Sequence, residues 1–196
     1  MKNIITISRE FGSGGRSIGK AVAKKLGYDY FDKEIIERIS EESGLSIDYI
    51  EKNGEHSPGT NIFSYAFVGR NRNGASVEDY LWNKQMEVIL SMADKGKCVI
   101  VGRCADYILR EREDCLHVFI HSDMKKRAKR IVDLYGETEQ KPEKRLMDKD
   151  KTRKLNYKYY TDRDWGMSQN YHISLDSGVI GLERCEDIIS ALVKEL

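Results

Sequence analysis

Residues 3–28, NIITISREFGSGGRSIGKAVAKKLGY, leave this chain few architectures to choose from. Ile4, Ile5 and Ile7 give a short β-branched apolar run, which predicts a buried strand over Asn3–Ser8. Gly12, Gly14 and Gly15 follow as a turn whose backbone can approach a ligand closely. From Ser17 the residues Ile18, Ala21, Val22 and Leu26 recur at helical spacing, with Lys24 and Lys25 in the last turn and Gly27 as the stop. Strand, glycine turn and helix in this order aim free N–H groups and the positive end of a helix dipole at one point. That point suits a phosphate.

The turn departs from the phosphate-loop pattern G-x-x-x-x-G-K-[ST], in which a lysine reaches the outer phosphates and a hydroxyl holds Mg²⁺. Counted back from the helix, Gly15 stands in the lysine position and Ser17 is the second hydroxyl site. A slip of one residue puts Arg16 in the lysine position, Ser17 in the Mg²⁺ position and Glu10 where the first glycine belongs. Both registers remain open from sequence. In either, Arg16 is the cation inside the turn, and it is expected to supply the missing lysine's charge. The phosphate-binding residues are then Gly12, Ser13, Gly14, Gly15, Arg16 and Ser17.

Beyond the turn, strands alternate with helical patterns, which predicts an α/β fold with a parallel sheet covered on both faces. Further strands are expected at Tyr28–Phe31, Cys98–Gly102, Leu116–Ile120 and Tyr171–Leu175. Asp32 reads as the N-cap of a helix carrying Ile35, Ile36 and Ile39. Ser46–Lys52 is a second short helix, and Ser76 caps a long one reaching about Lys95. Later helices are expected near Ala105–Arg112, Asp123–Tyr135, Pro142–Tyr160 and Leu182–Leu196. Asn53–Gly74 has no periodicity and is expected to be a functional arm or partly disordered, its Phe63–Val68 cluster serving base, core or dimer contact.

Composition excludes more than it assigns. With 196 residues the default is one domain, 1–196. Thirty-three basic against 32 acidic residues, net charge +1, give no electrostatic case for nucleic acid. No apolar run reaches membrane-spanning length, and no signal-peptide pattern opens the chain. Cys98, Cys104, Cys115 and Cys185 lack metal-site or disulfide-framework spacing. Reduced thiols in the cytoplasm are the simplest account, with the chain a monomer or homodimer.

Over nearly its whole length the chain resembles the nucleoside monophosphate kinases, most closely the cytidylate kinase-like family. FGSGGRSIGKAVAKKLGY resembles that family's phosphate loop and first helix, and FDKEIIER the start of its monophosphate-binding region. KCVIVGRCADYIL resembles its strand ending in Gly-Arg, SDMKKRAKR the helix entering the lid, DKDKTR an acidic-then-basic pair, and YHISLDS the last strand. The departures are the absent lysine, Cys104 where an acidic residue is usual, and a differing middle arm. The resemblance implies a three-layer phosphate-loop kinase fold: five parallel strands, a monophosphate-binding arm over about 32–76, and a lid over about 136–164. It implies ATP- and Mg²⁺-dependent phosphoryl transfer to a small nucleotide, CMP or dCMP foremost. It also implies acceptor binding by Asp32, Arg38, Arg103, Asp150 and Arg153.

The chemistry suits those residues independently. Phosphoryl transfer requires two phosphates held in line and positive charge where the transferred group spreads its own. Arginine grips phosphate oxygens with a planar fork and is never deprotonated. Arg127 and Arg130, on the helix before the lid, are expected to close on the transferred group beside Arg16, and Ser17 to hold Mg²⁺. Arg103 follows a buried strand directly, where open α/β sheets bind ligands. Arg145, Lys149 and Arg153 share a helical face that also reads as a solvated stripe, and Asp150–Arg153 also reads as a surface ion pair. Tyr157, Tyr159, Tyr160 and Trp165 read equally as base platforms or core. Two other functions compete: a nucleotide sensor or degenerate kinase, because the lysine is missing, and a dinucleotide-binding oxidoreductase built on Gly12-x-Gly14 with Asp32 about twenty residues on.

Overall fold

The structure, a computed structural model, describes residues 2–53 and 77–196. Most of the arm, with the Phe63–Val68 cluster and the Ser76 cap, lies outside the described residues. Five strands form one parallel sheet: β1 (Ile4–Arg9), β2 (Asp29–Phe31), β3 (Cys98–Val101), β4 (Cys115–His121) and β5 (Ile173–Asp176), in the order β2-β3-β1-β4-β5. β1 lies at the centre and is buried on both faces along its whole length, the polar Thr6 and Ser8 together with Ile4, Ile5 and Ile7. The order reverses direction beside β1, so the carboxyl ends of β1, β3 and β4 open a crevice there.

Alternate residues of the strands feed two cores. Ile5, Ile7, Val99, Val101, Leu116, Val118 and Ile120 face α1 (Gly15–Leu26) and the last helix, Leu182–Glu195. Ile4, Cys98 and Ile100 face α2 (Glu34–Ser43), α3 (Ile47–Asn53) and α4 (Val77–Asp94). A short α5 (Ala105–Ile108) follows β3. A third, small cluster of Ala128, Ile131 and Leu146 joins α6 (Met124–Tyr135) to α7 (Pro142–Thr161) and takes in Phe11 of the glycine turn. The crevice thus lies under α6 and α7. A one-turn helix, α8 (Ser177–Ile180), precedes the last helix, which becomes α9.

One predicted cap does not form. Lys33, not Asp32, is the N-cap of α2, and no side chain caps that helix. Asp32 instead turns its carboxylate to Arg16, whose Nε lies 2.7 Å away. A charged fork is a stronger donor than a helix amide, so the ion pair prevails. By contrast Asp123, expected as the first residue of its helix, stands just outside α6 as the N-cap, accepting from the Lys125 and Lys126 amides.

The aromatic residues divide between core and cleft. Tyr160 stacks on Trp82 with ring centroids 4.3 Å apart. Tyr157 is fully buried, and its hydroxyl donates to Asp106 Oδ2 at 2.7 Å. Burial pushes the Asp106 carboxyl up to about 6, while burial beside His172 pushes His117 down to about 4. Their effects on stability oppose each other. His117 takes a proton in the unfolded chain near its ordinary 6.5, so stability is lost as pH falls from about 6.5 to about 4. Asp106 keeps in the folded state a proton that the unfolded chain gives up near 3.8, so stability is lost as pH rises from about 4 to about 6. Asp106→Asn should therefore unmask the histidine. Between pH 6 and 4.5 it is expected to lose on the order of 2 kcal/mol relative to wild type, read by urea denaturation. Parallel pH curves for the two proteins would refute this.

Candidate active site

The chain leaves β1 at Arg9, turns through Glu10–Gly14 and enters α1 at Gly15. Glu10 N–H donates to Ile120 O at 3.0 Å, and the buried Ser13 closes the turn by donating both its N–H and its hydroxyl to Glu10 O. Gly14 caps α1 at φ 86°, a left-handed angle where other residues are strained. No side chain caps this helix and no acidic residue lies in its first turn, so its leading amides face the crevice as an anion cradle.

Of the expected phosphate residues, Gly12, Gly14, Gly15, Arg16 and Ser17 line one pocket, together with Arg9, Arg130, Tyr135 and Arg153. Ser13 turns inward, its hydroxyl donating to Glu10 O, and does not line the pocket. Arg130 lies over the helix start and donates to Ser17 Oγ at 3.0 Å. Arg16 does not curl back over the cradle. Its half-exposed guanidinium grips Asp32 through Nε at 2.7 Å and Nη2 at 3.2 Å.

Arg127 is placed beneath the loop. It is 6% exposed, donates to Asp150 Oδ2 at 2.6 Å and to Phe11 O at 3.2 Å, and lies 3.4 Å from Glu10. Asp150, also buried, accepts the Phe11 amide with its other oxygen at 2.8 Å and stands 3.7 Å from Arg153. These two residues anchor the turn to α6 and α7. Arg130, one helical turn further along α6, is the one that faces the pocket.

A second pocket adjoins the first at the carboxyl end of β3. It is lined by Ser8, Arg9, Gly102, Arg103, Cys104, Arg153, Asn156, Tyr157 and Trp165. Arg103 enters it from a left-handed backbone angle, φ 59°, and Gln85 holds its carbonyl at 3.0 Å. Trp165 is fixed by donating to Ser8 Oγ at 3.0 Å and by a T-shaped contact with Phe119. Arg38 stands half-buried on α2 and lines neither pocket.

Arg9 lies one residue past Ser8, the expected end of the first strand, and is not among the expected site residues. Its side chain is 9% exposed, lies 3.8 Å from Asp32, and lines both pockets, as Arg153 does. The available signal was a charged residue closing a strand otherwise without charge, since a charge buried there requires a partner. Arg153 Nη1 in turn donates to Arg9 O at 3.0 Å.

Among the described residues there is no cluster of three or more His, Cys, Asp or Glu side chains able to hold a metal ion, and no helix is long and apolar enough to cross a membrane. Mg²⁺ in phosphoryl-transfer sites needs only one or two protein oxygens, the rest coming from phosphate and water. Ser17 Oγ, at the head of the cradle, fits that requirement.

The model of the cytidylate kinase-like family matches residues 4–179. None of the curated proteins matches the chain in sequence. Among solved structures, an uncharacterized protein from Eubacterium ventriosum ATCC 27560 is 23% identical with a TM-score of 0.74, each chain covered over 100%. Shikimate kinase from Acinetobacter baumannii, in complex with shikimate, is 15% identical with a TM-score of 0.57, covering 100% of this chain and 94% of its own. A gluconokinase from Sinorhizobium meliloti 1021 is 15% identical with a TM-score of 0.54, covering 98% and 94%. These likenesses agree with the sheet order in assigning the fold.

Proposed function

We propose that this chain, which belongs to the cytidylate kinase-like family, is a small-molecule kinase that moves the γ-phosphoryl group of ATP to a nucleoside monophosphate, CMP or dCMP first. The observation that carries this reading is the pair of adjoining pockets with Arg9 and Arg153 in their common wall. One pocket is an anion cradle on a helix start. The other is polar and arginine-lined, with an indole beside it. A phosphoryl donor in the first and a phosphorylated acceptor in the second would meet where the two arginines stand.

In this reading the Gly12–Ser17 backbone holds the donor phosphates, and Arg130 lies along them. Mg²⁺ held by Ser17 would supply further positive charge to those oxygens. Arg103 and Arg153 grip the acceptor phosphate, and Asp150 orients Arg153 from below. An acceptor oxygen bonds to the γ-phosphorus as the bond to the bridging oxygen breaks, and the departing diphosphate keeps the electron pair. Positive charge on both sides of the transferred group stabilises that loose transition state. Asn156, carrying both a donor and an acceptor, and Trp165 line the space left for the acceptor's base.

The test is a substrate panel. ATP and Mg²⁺ are offered with each nucleoside monophosphate, and separately with shikimate and gluconate, while ADP release is followed. Turnover fastest with CMP or dCMP is expected. Turnover with a non-nucleotide alone would reassign the acceptor. ATP binding without transfer to any acceptor would make the protein a nucleotide sensor, the reading the missing lysine favours.

A further inference from the structure

We infer that Arg9 supplies the phosphate-facing charge of the missing lysine, the loop having exchanged its first glycine and its lysine between positions 9 and 15. This rests on the kinase reading above.

The exchange is visible in the space around Gly15. A Cβ on Gly15 would fall 2.6 Å from Arg9 Cβ and 2.9 Å from Arg9 Cγ, so the arginine stem fills the room where a side chain at 15 would begin. Gly15 is the first residue of α1, directly after the left-handed Gly14. That is the lysine's place in G-x-x-x-x-G-K when the pattern starts at residue 9. With Arg9 where the first glycine belongs, a lysine at 15 has nowhere to start. A glycine at 15 is the complement of an arginine at 9.

The far end of Arg9 is accommodated in the same way. A Cβ on Gly102 would collide with Arg9 Nη1 and stand 2.9 Å from its Cζ. The guanidinium therefore lies across the carboxyl end of β3, where the donor and acceptor pockets meet. Asp32, 3.8 Å away, balances it, and Asp32 is itself gripped by Arg16. Arg9 stands between the pockets, whereas Arg16 lines the donor side alone and spends its fork on Asp32. Of the two, Arg9 is placed to touch a group in transit. Its guanidinium serves as a catalytic cation, and Arg16 positions it through Asp32.

The experiment compares Arg9→Gln, Arg16→Ala, Arg9→Gly, Gly15→Lys and the double variant Arg9→Gly/Gly15→Lys. Two readouts are used: calorimetric affinity for inorganic tripolyphosphate, and turnover with ATP and the best acceptor from the panel. Arg9→Gln keeps the stem across Gly15 and removes the charge. It should lower turnover about a hundredfold and weaken tripolyphosphate about tenfold. Arg16→Ala should lose less on both. Gly15→Lys alone should be destabilised in a thermal melt, because its Cβ meets the Arg9 stem. The double variant should regain stability over Gly15→Lys, and at least tenfold in tripolyphosphate affinity over Arg9→Gly.

The inference is overturned if Arg9→Gln stays within about threefold of wild type on both readouts, if Arg16→Ala falls further than Arg9→Gln, or if the double variant recovers nothing. Its failure differs from that of the kinase reading. A wild type without turnover ends the kinase reading, while tripolyphosphate affinity still decides for or against Arg9. An active wild type with an indifferent Arg9 ends this inference alone.

Discussion

Asp150→Ala is expected to lower the unfolding free energy by about 3–5 kcal/mol, the cost of leaving one member of a buried ion pair without its partner. Arg127 is buried with its fork on Asp150 at 2.6 Å, and Glu10, at 3.4 Å, is a weaker substitute. The same change removes the acceptor of the Phe11 amide. Unmet polar groups at both places make the loss larger than the net worth of the pair. A double variant, Arg127→Met/Asp150→Leu, removes both charges and should stand closer to wild type than Asp150→Ala does. Urea denaturation of the three proteins measures this. A loss below about 1 kcal/mol in Asp150→Ala would mean that Glu10 alone satisfies Arg127, and the anchoring role would fall. Because Phe11 belongs to the cradle, the variant that remains folded should also bind tripolyphosphate more weakly.

The sheet was legible because β1 is buried on both faces and shows it as Ile4, Ile5 and Ile7, while glycines mark the turn at its end. The start of α6 fell within one residue of its expected place at Asp123, where the cap is local. The expected cap failed at Asp32, whose side chain had an arginine to choose over the helix, a partner sixteen residues away that no local pattern reveals. Four residues, Ser177–Ile180, are too few for periodicity to register as a helix. The site divides along the same line. Its glycines and the strand-end Arg103 announce themselves by position. Arg127 and Arg130 lie on one helix three residues apart, yet one goes under the loop and the other over Ser17. Composition cannot separate them, because the difference is made by Asp150, on α7, and by Ser17, at the start of α1. Arg9 escaped notice because its meaning lies in the absence of side chains at Gly15 and Gly102, a complementarity that exists only in three dimensions.

Arg103→Ala is expected to raise the Michaelis constant for the acceptor by ten- to a hundredfold, since a charged hydrogen bond to a phosphate is worth about 1.5–3 kcal/mol. The effect should fall on one substrate. Arg103 lines the pocket beyond β3 and not the glycine cradle, so affinity for the donor triphosphate should stay near that of wild type. The fold should tolerate the change as well. Gln85 holds the backbone carbonyl of Arg103, which alanine retains, and Gly102 before it keeps the turn. Arg103→Lys should recover only part of the loss, because an ammonium lacks the planar fork that meets two phosphate oxygens at once. Steady-state kinetics with the acceptor varied at saturating ATP, then the reverse, separates the two affinities. A weakened donor with an unchanged acceptor would move Arg103 to the other side of the Arg9–Arg153 wall. No change in either would remove it from the site.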